Sequence, residues 1–172
     1  MVALLETDGL TKTFGALVAN DGISISVPDG AVRGIIGPNG SGKSTFFNTL
    51  TGFYQADGGT VTFDGTDVTG WSTHAIARRG LARTFQIVSP FEDLTVKENL
   101  LAVYTPGLRV SREKRDRADE ILAFLEIDHV ADNEASEMSG GQQKLLELAR
   151  GLMLDPKCIL LDEPTAGLDP AL

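Results

Sequence analysis

Residues 37–45, GPNGSGKST, combine three glycines with one lysine and three hydroxyl side chains. The spacing is G-x-x-x-x-G-K-S, set between an apolar stretch and a helix-like one. Gly37, Gly40 and Gly42 let the backbone curl so that successive N–H groups face inward. Those donors and the helix N-terminus behind them form a cradle for an anion. Lys43 supplies a point charge for β- and γ-phosphates, and Ser44 offers a hydroxyl oxygen to Mg2+. Asn39, Gly40, Ser41, Gly42, Lys43, Ser44 and Thr45 are therefore the candidate nucleotide-binding residues.

A second group closes the apolar run KCILLDEP at residues 157–164. Asp162 and Glu163 would emerge at the C-terminal edge of a buried parallel strand, where open α/β sheets bind their ligands. Asp162 suits the Mg2+ shell, and Glu163 suits a general base acting on water. Taken alone, the pair also fits two solvated acids with Pro164 ending the strand. A third group, MSGGQQ at 138–143, puts two glycines at a helix start. In a helix interior each would cost about 1 kcal/mol relative to alanine. Ser139 can cap this helix, and Gly140 and Gly141 leave its first N–H groups uncovered. With about half a positive charge at the helix tip, this is a second, smaller anion site. A serine cap with incidental glycines fits the same spacing. Leu145, Leu148 and Leu152 are expected to bury the face behind it.

Positioning these groups takes an α/β framework. GISISV (22–27) alternates like a half-buried strand, PDGA is a turn, and VRGIIG (32–37) reads as a short buried strand feeding the glycine loop. KSTFFNTLTG reads as a helix with Phe46, Phe47 and Leu50 on one side and Gly52 as its stop. GTVTFDG (59–65) returns to strand, THAIARRG (73–80) is a short helix, and LARTF (81–85) is another strand. The section 94–137 is helix-rich and more charged. There SREKRDRADEILAFLEI lines up Ala118, Ile121, Leu122 and Leu125, with Ser111 as N-cap and its charges as a solvated face. Cys158 reads as a small hydrophobe within the last strand. The whole implies a mainly parallel central sheet with a helical insertion.

Composition bounds the rest. The chain has 172 residues and a net charge of −9, which weighs against DNA or another polyanion as its main partner. No apolar run approaches the roughly 18 residues needed to span a bilayer, and no secretory pattern follows Met1. A single cysteine excludes an intrachain disulfide.

GPNGSGKST, Gln86, MSGGQQ and ILLDEPTAGLDP, in that order, resemble the ATP-binding subunit of ABC transporters, and the resemblance covers residues 5–172. It implies a P-loop NTPase fold: a RecA-like core with a mainly parallel sheet, an N-terminal antiparallel β subdomain and an inserted α-helical subdomain. The corresponding division is 1–93, 94–139 and 140–172. The resemblance implies ATP and Mg2+ as ligands, and a head-to-tail pair of ATP-binding subunits, alike or different. Ser139, Gly140, Gly141 and Gln142 would then act in trans on the partner's ATP. Phe14 matches the aromatic that stacks on adenine, with Val18 flanking the ring. A core or edge-strand aromatic is the plainer reading of Phe14. Gln86 matches a glutamine that reaches Mg2+ and the attacking water, so that Ser44, Gln86 and Asp162 form the metal set and Glu163 and Gln86 the catalytic pair. Asp169 matches an aspartate linking the two active sites. Met138 stands where leucine is usual, a volume-conserving exchange.

ARRGLARTFQ, LTVKENLL and TGFYQADGGTVTFDGTDVTG look like the ATPases of branched-chain amino acid importers and their relatives for urea and amides. That resemblance implies membrane-spanning permease partners touched by IVSPFEDLTVKENL, and a periplasmic or extracellular solute-binding protein acting indirectly. The location it implies is cytoplasmic, on the inner face of the membrane. The rival from another class is a soluble cassette ATPase gating nucleic-acid or ribosome binding. Such chains carry paired cassettes or long inserts, and this one shows neither. The family also places a histidine on a strand beyond the acidic pair. Here His74 and His129 both precede Glu163. The expectation is a C-terminally truncated subunit with weak or absent turnover, or a non-catalytic nucleotide-binding remnant.

Overall fold

The computed structural model describes residues 3–84, 90–104 and 110–162. The chain divides into two units, Met1–Leu81 and Ala82–Leu172.

In the first unit, β1 (Ala3–Phe14) turns through Gly15 and Ala16 into β2 (Leu17–Pro28). β1 also pairs with β3 (Gly58–Phe63), which turns into β4 (Thr66–Asp67). That turn is Asp64-Gly65, with φ 48° and 69°. Two successive positive φ values give the type I′ hairpin, whose twist matches the flanking strands, and Asp-Gly is the pair that tolerates it. The sheet is antiparallel with order β2-β1-β3-β4. Arg79 anchors the β3–β4 hairpin by donating to the carbonyl of Asp64 and to Thr66 Oγ1. Leu5, Leu10, Val61 and Phe63 are the buried face of the sheet. Leu5 and Phe63 sit directly opposite each other across β1 and β3. α1 (Lys43–Leu50) adds Phe46 and Leu50, an i, i+4 pair, to the buried residues of this unit, while Phe47 is only half-buried. α2 (Thr73–Arg78) is capped by Ser72 and buries Ile76.

In the second unit, α3 (Val96–Leu101), α4 (Arg112–Phe124) and α5 (Gly140–Leu152) enclose a core that includes Val96, Leu100, Ile121, Leu122, Leu146 and Met153. Thr95 and Glu98 close a capping box on α3, and Ser111 caps α4 as its sequence predicts. Asn99 is fully buried and serves the backbone of Phe91, Leu94 and Thr95, fixing the approach to α3. Met138 is buried in the same core, consistent with a hydrophobe exchanged for another of similar volume. β5 (Leu81–Arg83) and β6 (Cys158–Leu160) form a two-stranded parallel sheet, extended by Thr84 N–H donating to the Leu160 carbonyl at 3.0 Å.

The architecture is the mixed α/β class expected, and the parallel sheet is represented among the described residues by β5 and β6. One local expectation fails and a second holds in part. Residues 32–37 form no strand, and Val32 and Ile36 are each 98% exposed. An apolar run becomes a strand only through a ladder, and no described strand pairs with this one. In α5 the fully buried residues are Leu146 and Ala149, with Met153 at the C-cap, whereas Leu145 and Leu152 pack half-buried against the same core and Leu148 is half-buried. The centre of the seam falls one residue later than the leucines suggest, on an alanine that leucine spacing does not reveal. No helix among the described residues is long and apolar enough to cross a membrane.

Candidate functional site

The glycine loop ends in α1 as its pattern predicts. Gly42 is the N-cap at φ 88°, in the left-handed region open to glycine. A Cβ built there would lie 2.2 Å from the Ala19 carbonyl oxygen, so β2 leaves no room for a side chain. Gly37 is crowded less rigidly: its Cβ would lie 2.6 Å from Ser41 Oγ, a side-chain end that can rotate aside. Ser41 N–H donates to the Pro38 carbonyl at 3.2 Å, which closes the turn containing Asn39 and Gly40. Lys43 Nζ folds back over this turn and donates to the carbonyls of Gly37 at 2.7 Å and Pro38 at 3.0 Å. The ammonium thus lies against the loop that its charge is expected to serve. Ser44 and Thr45 follow in the first turn of α1, where backbone N–H groups lack helical partners.

Asn20 was not expected here. It lies on β2, is 3% exposed, and donates through Nδ2 to the Gly42 carbonyl at 3.2 Å. Phe14 ends β1 with its ring 42% exposed, and Tyr54 packs edge-on against it at 5.3 Å between centroids. Lys12 Nζ lies 5.4 Å from the Phe14 centroid and also pairs with Asp57 at 3.1 Å. The Thr13 backbone N–H, the Thr13 hydroxyl and Lys12 together hold the Asp57 carboxyl below the usual carboxylate range. Val18 is exposed on β2, paired with Thr13 across the hairpin.

In the second unit, Ser139 caps α5 through a reciprocal pair. Its Oγ accepts from Gln142 N–H at 3.3 Å, and Gln142 Oε1 accepts from Ser139 N–H at 2.9 Å and from Ser139 Oγ at 3.0 Å. Gln142 is therefore turned onto its own helix cap. Gly140 is exposed, and a Cβ added to it would meet no atom within 4 Å. Asp162, just past β6, forms an ion pair with Arg83 of β5 at 2.9 Å, the two side chains being 4% and 9% exposed. Arg83 was not singled out from the sequence either. Its partner lies 79 residues away, and no local spacing signals such a pair. Cys158 is half-buried, and burial pushes its thiol pKa up, away from the reactive thiolate. Gln86, Glu163 and Asp169 lie outside the described residues.

Among the described residues, no group of three or more His, Cys, Asp or Glu side chains gathers to hold a metal ion. Ser44 in the first unit and Asp162 in the second each carry a hard oxygen donor of the kind Mg2+ takes. A shallow cavity of about 730 Å3, lined by Tyr104, Lys114, Arg117 and Met153 among others, contains none of the phosphate-binding residues.

Known proteins repeat this arrangement. The chain matches the ABC transporter family over residues 20–166. It is 45% identical to the probable branched-chain amino acid transport ATP-binding protein LivG of Archaeoglobus fulgidus, covering 98% of this chain and 70% of that protein. It is 38% identical to the lipopolysaccharide export system ATP-binding protein LptB of Escherichia coli strain K12, again over 98% of this chain and 70% of that protein. Among solved structures, the ADP conformation of MJ1267, an ATP-binding cassette of an ABC transporter, superposes with a TM-score of 0.90 at 42% identity. It covers 99% of this chain and 72% of that one. A glycine loop running into a helix, an acid after a parallel strand, and this degree of likeness across almost every residue lead to one conclusion: the chain belongs to the ABC transporter family, as an ATP-binding and ATP-hydrolysing subunit.

Proposed function

We propose that this subunit energises an importer of branched-chain amino acids or related small polar solutes. The likeness to LivG supports that substrate class. The likeness to LptB favours a second reading, export of a lipid-linked cargo. The observation that carries the nucleotide chemistry is the glycine turn running into α1 at Gly42, with Lys43 lying over it.

Roles are assigned residue by residue. Asn39, Gly40, Ser41, Gly42, Lys43, Ser44 and Thr45 bind the phosphates. Phe14 stacks on adenine, its unpacked ring area serving as the platform, and Val18 flanks the base. Ser44, Gln86 and Asp162 would hold Mg2+, which when bound neutralises charge on the phosphate oxygens. Arg83 and such an ion would share the Asp162 carboxylate. Glu163 accepts a proton from the attacking water, and Gln86 orients that water. Ser139, Gly140, Gly141 and Gln142 present the tip of α5 to ATP held by a second ATP-binding subunit, and Asp169 links the two sites. The permease contact falls on residues 87–100, and with it a position on the inner face of the membrane. A solute-binding protein acts on the far side.

Binding and turnover test this together. By calorimetry, Lys43→Ala should weaken ATP binding by about 10- to 100-fold, the value of one or two charge-assisted hydrogen bonds. Glu163→Gln should retain ATP and slow steady-state phosphate release about 100-fold, the scale of a lost general base. Unchanged binding in the first variant, or unchanged release in the second, would remove the corresponding assignment.

A further inference from the structure

The Gly42 carbonyl receives two donors. One is Phe46 N–H at 2.8 Å, the first helical bond of α1, and the other is Asn20 Nδ2 at 3.2 Å, reaching in from β2. Both lone pairs of that oxygen are thereby used. The peptide unit is planar and trans, so the Gly42 carbonyl and the Lys43 N–H point in opposite directions. Fixing the carbonyl toward β2 and the helix interior fixes the Lys43 N–H outward from the helix tip. That N–H is among the donors a helix start leaves without partners.

Asn20 is a poor choice for stability alone. Its Oδ1 is buried without a hydrogen-bond partner among the described residues. An unpaired buried acceptor offsets much of what the Nδ2 bond contributes. An apolar side chain of similar size would avoid that cost but would leave the loop carbonyl held by the helical bond from Phe46 alone, with nothing reaching it from β2.

We propose that Asn20 is a positioning residue of the phosphate site: by holding the Gly42 carbonyl from β2, it aims the Lys43 backbone N–H at the bound polyphosphate. The proposal rests on the reading of residues 37–45 as the triphosphate cradle. It assigns Asn20 to the phosphates and not to the base, so it predicts equal losses for ATP and for inorganic tripolyphosphate.

The test uses the full chain with Asn20→Asp, which keeps the shape and removes the donor, and Asn20→Ala. Calorimetry should show both variants losing about tenfold in affinity for ATP and for tripolyphosphate alike, the scale of one hydrogen bond. In 15N spectra, the Lys43 amide resonance should move on tripolyphosphate addition in the unaltered chain and move less in the variants. A purely structural role would not single out that amide. One Asn20 side-chain amide proton of the unaltered chain should also exchange slowly, a measurement that stands even if a variant fails to fold. Variants binding both ligands within twofold of the unaltered chain, an unchanged Lys43 response, or a fast-exchanging Asn20 amide would each overturn the proposal. An unaltered chain that binds neither ligand would overturn the nucleotide reading as well.

Discussion

Gly42→Ala should abolish measurable ATP binding and destabilise the fold by about 2–5 kcal/mol. Two independent costs meet at this residue. Its φ of 88° puts an L side chain in the left-handed region, worth about 1–2 kcal/mol. The new methyl carbon would also lie 2.2 Å from the Ala19 carbonyl oxygen and 2.8 Å from Asn20 Nδ2. The first of these neighbours is strand backbone and cannot swing aside, so overpacking adds about 1–3 kcal/mol. The strain is relieved by moving the start of α1 away from β2, which displaces the N–H groups that face the phosphates. Gly40 is the control. Its φ is 80°, but its Cβ would meet nothing within 4 Å, so alanine there carries the conformational cost alone. Thermal unfolding and ATP calorimetry on the two variants separate these contributions. If Gly42→Ala bound ATP as Gly40→Ala does, close packing against β2 would not be what shapes the cradle.

Arg83→Met should cost about 3–5 kcal/mol of stability, and Arg83→Met with Asp162→Leu should recover most of it. Both members of this pair are more than nine-tenths buried. Removing the guanidinium strands a carboxylate in a site where water cannot replace the lost partner, and that penalty dominates. Replacing both removes the charge altogether, and a well-packed apolar pair is often no less stable than the ion pair it replaces. Urea unfolding of the single and double variants is the measurement. A loss in the single variant of under about 1 kcal/mol would place the pair among solvent-screened surface bridges. The double variant also removes the proposed metal donor, so it should fold and yet fail in hydrolysis.

What could be read in advance were features that act over a few residues. The caps at Ser111 and Ser139 depend on side chains reaching backbone within one helical turn, and the glycine loop that opens α1 depends on the φ range of glycine itself. Asn20 and Arg83 escaped because their partners are 22 and 79 residues away, and nothing in an NDG or LAR tripeptide marks either as a polar anchor. The apolar seam of α5 escaped because alanine holds its centre. Residues 32–37 carry the composition of a strand, yet a strand is a property of pairs, and composition describes only one member.

At the start of α5, the described residues give no reason for a missing side chain. Among them a methyl on Gly140 would meet no atom within 4 Å outside its own helix backbone, and the helix would form more readily with it. On the proposed function, that bare position leaves the main chain at the tip of α5 open to the triphosphate gripped by a second subunit, so a side chain added there should cost assembly and not folding.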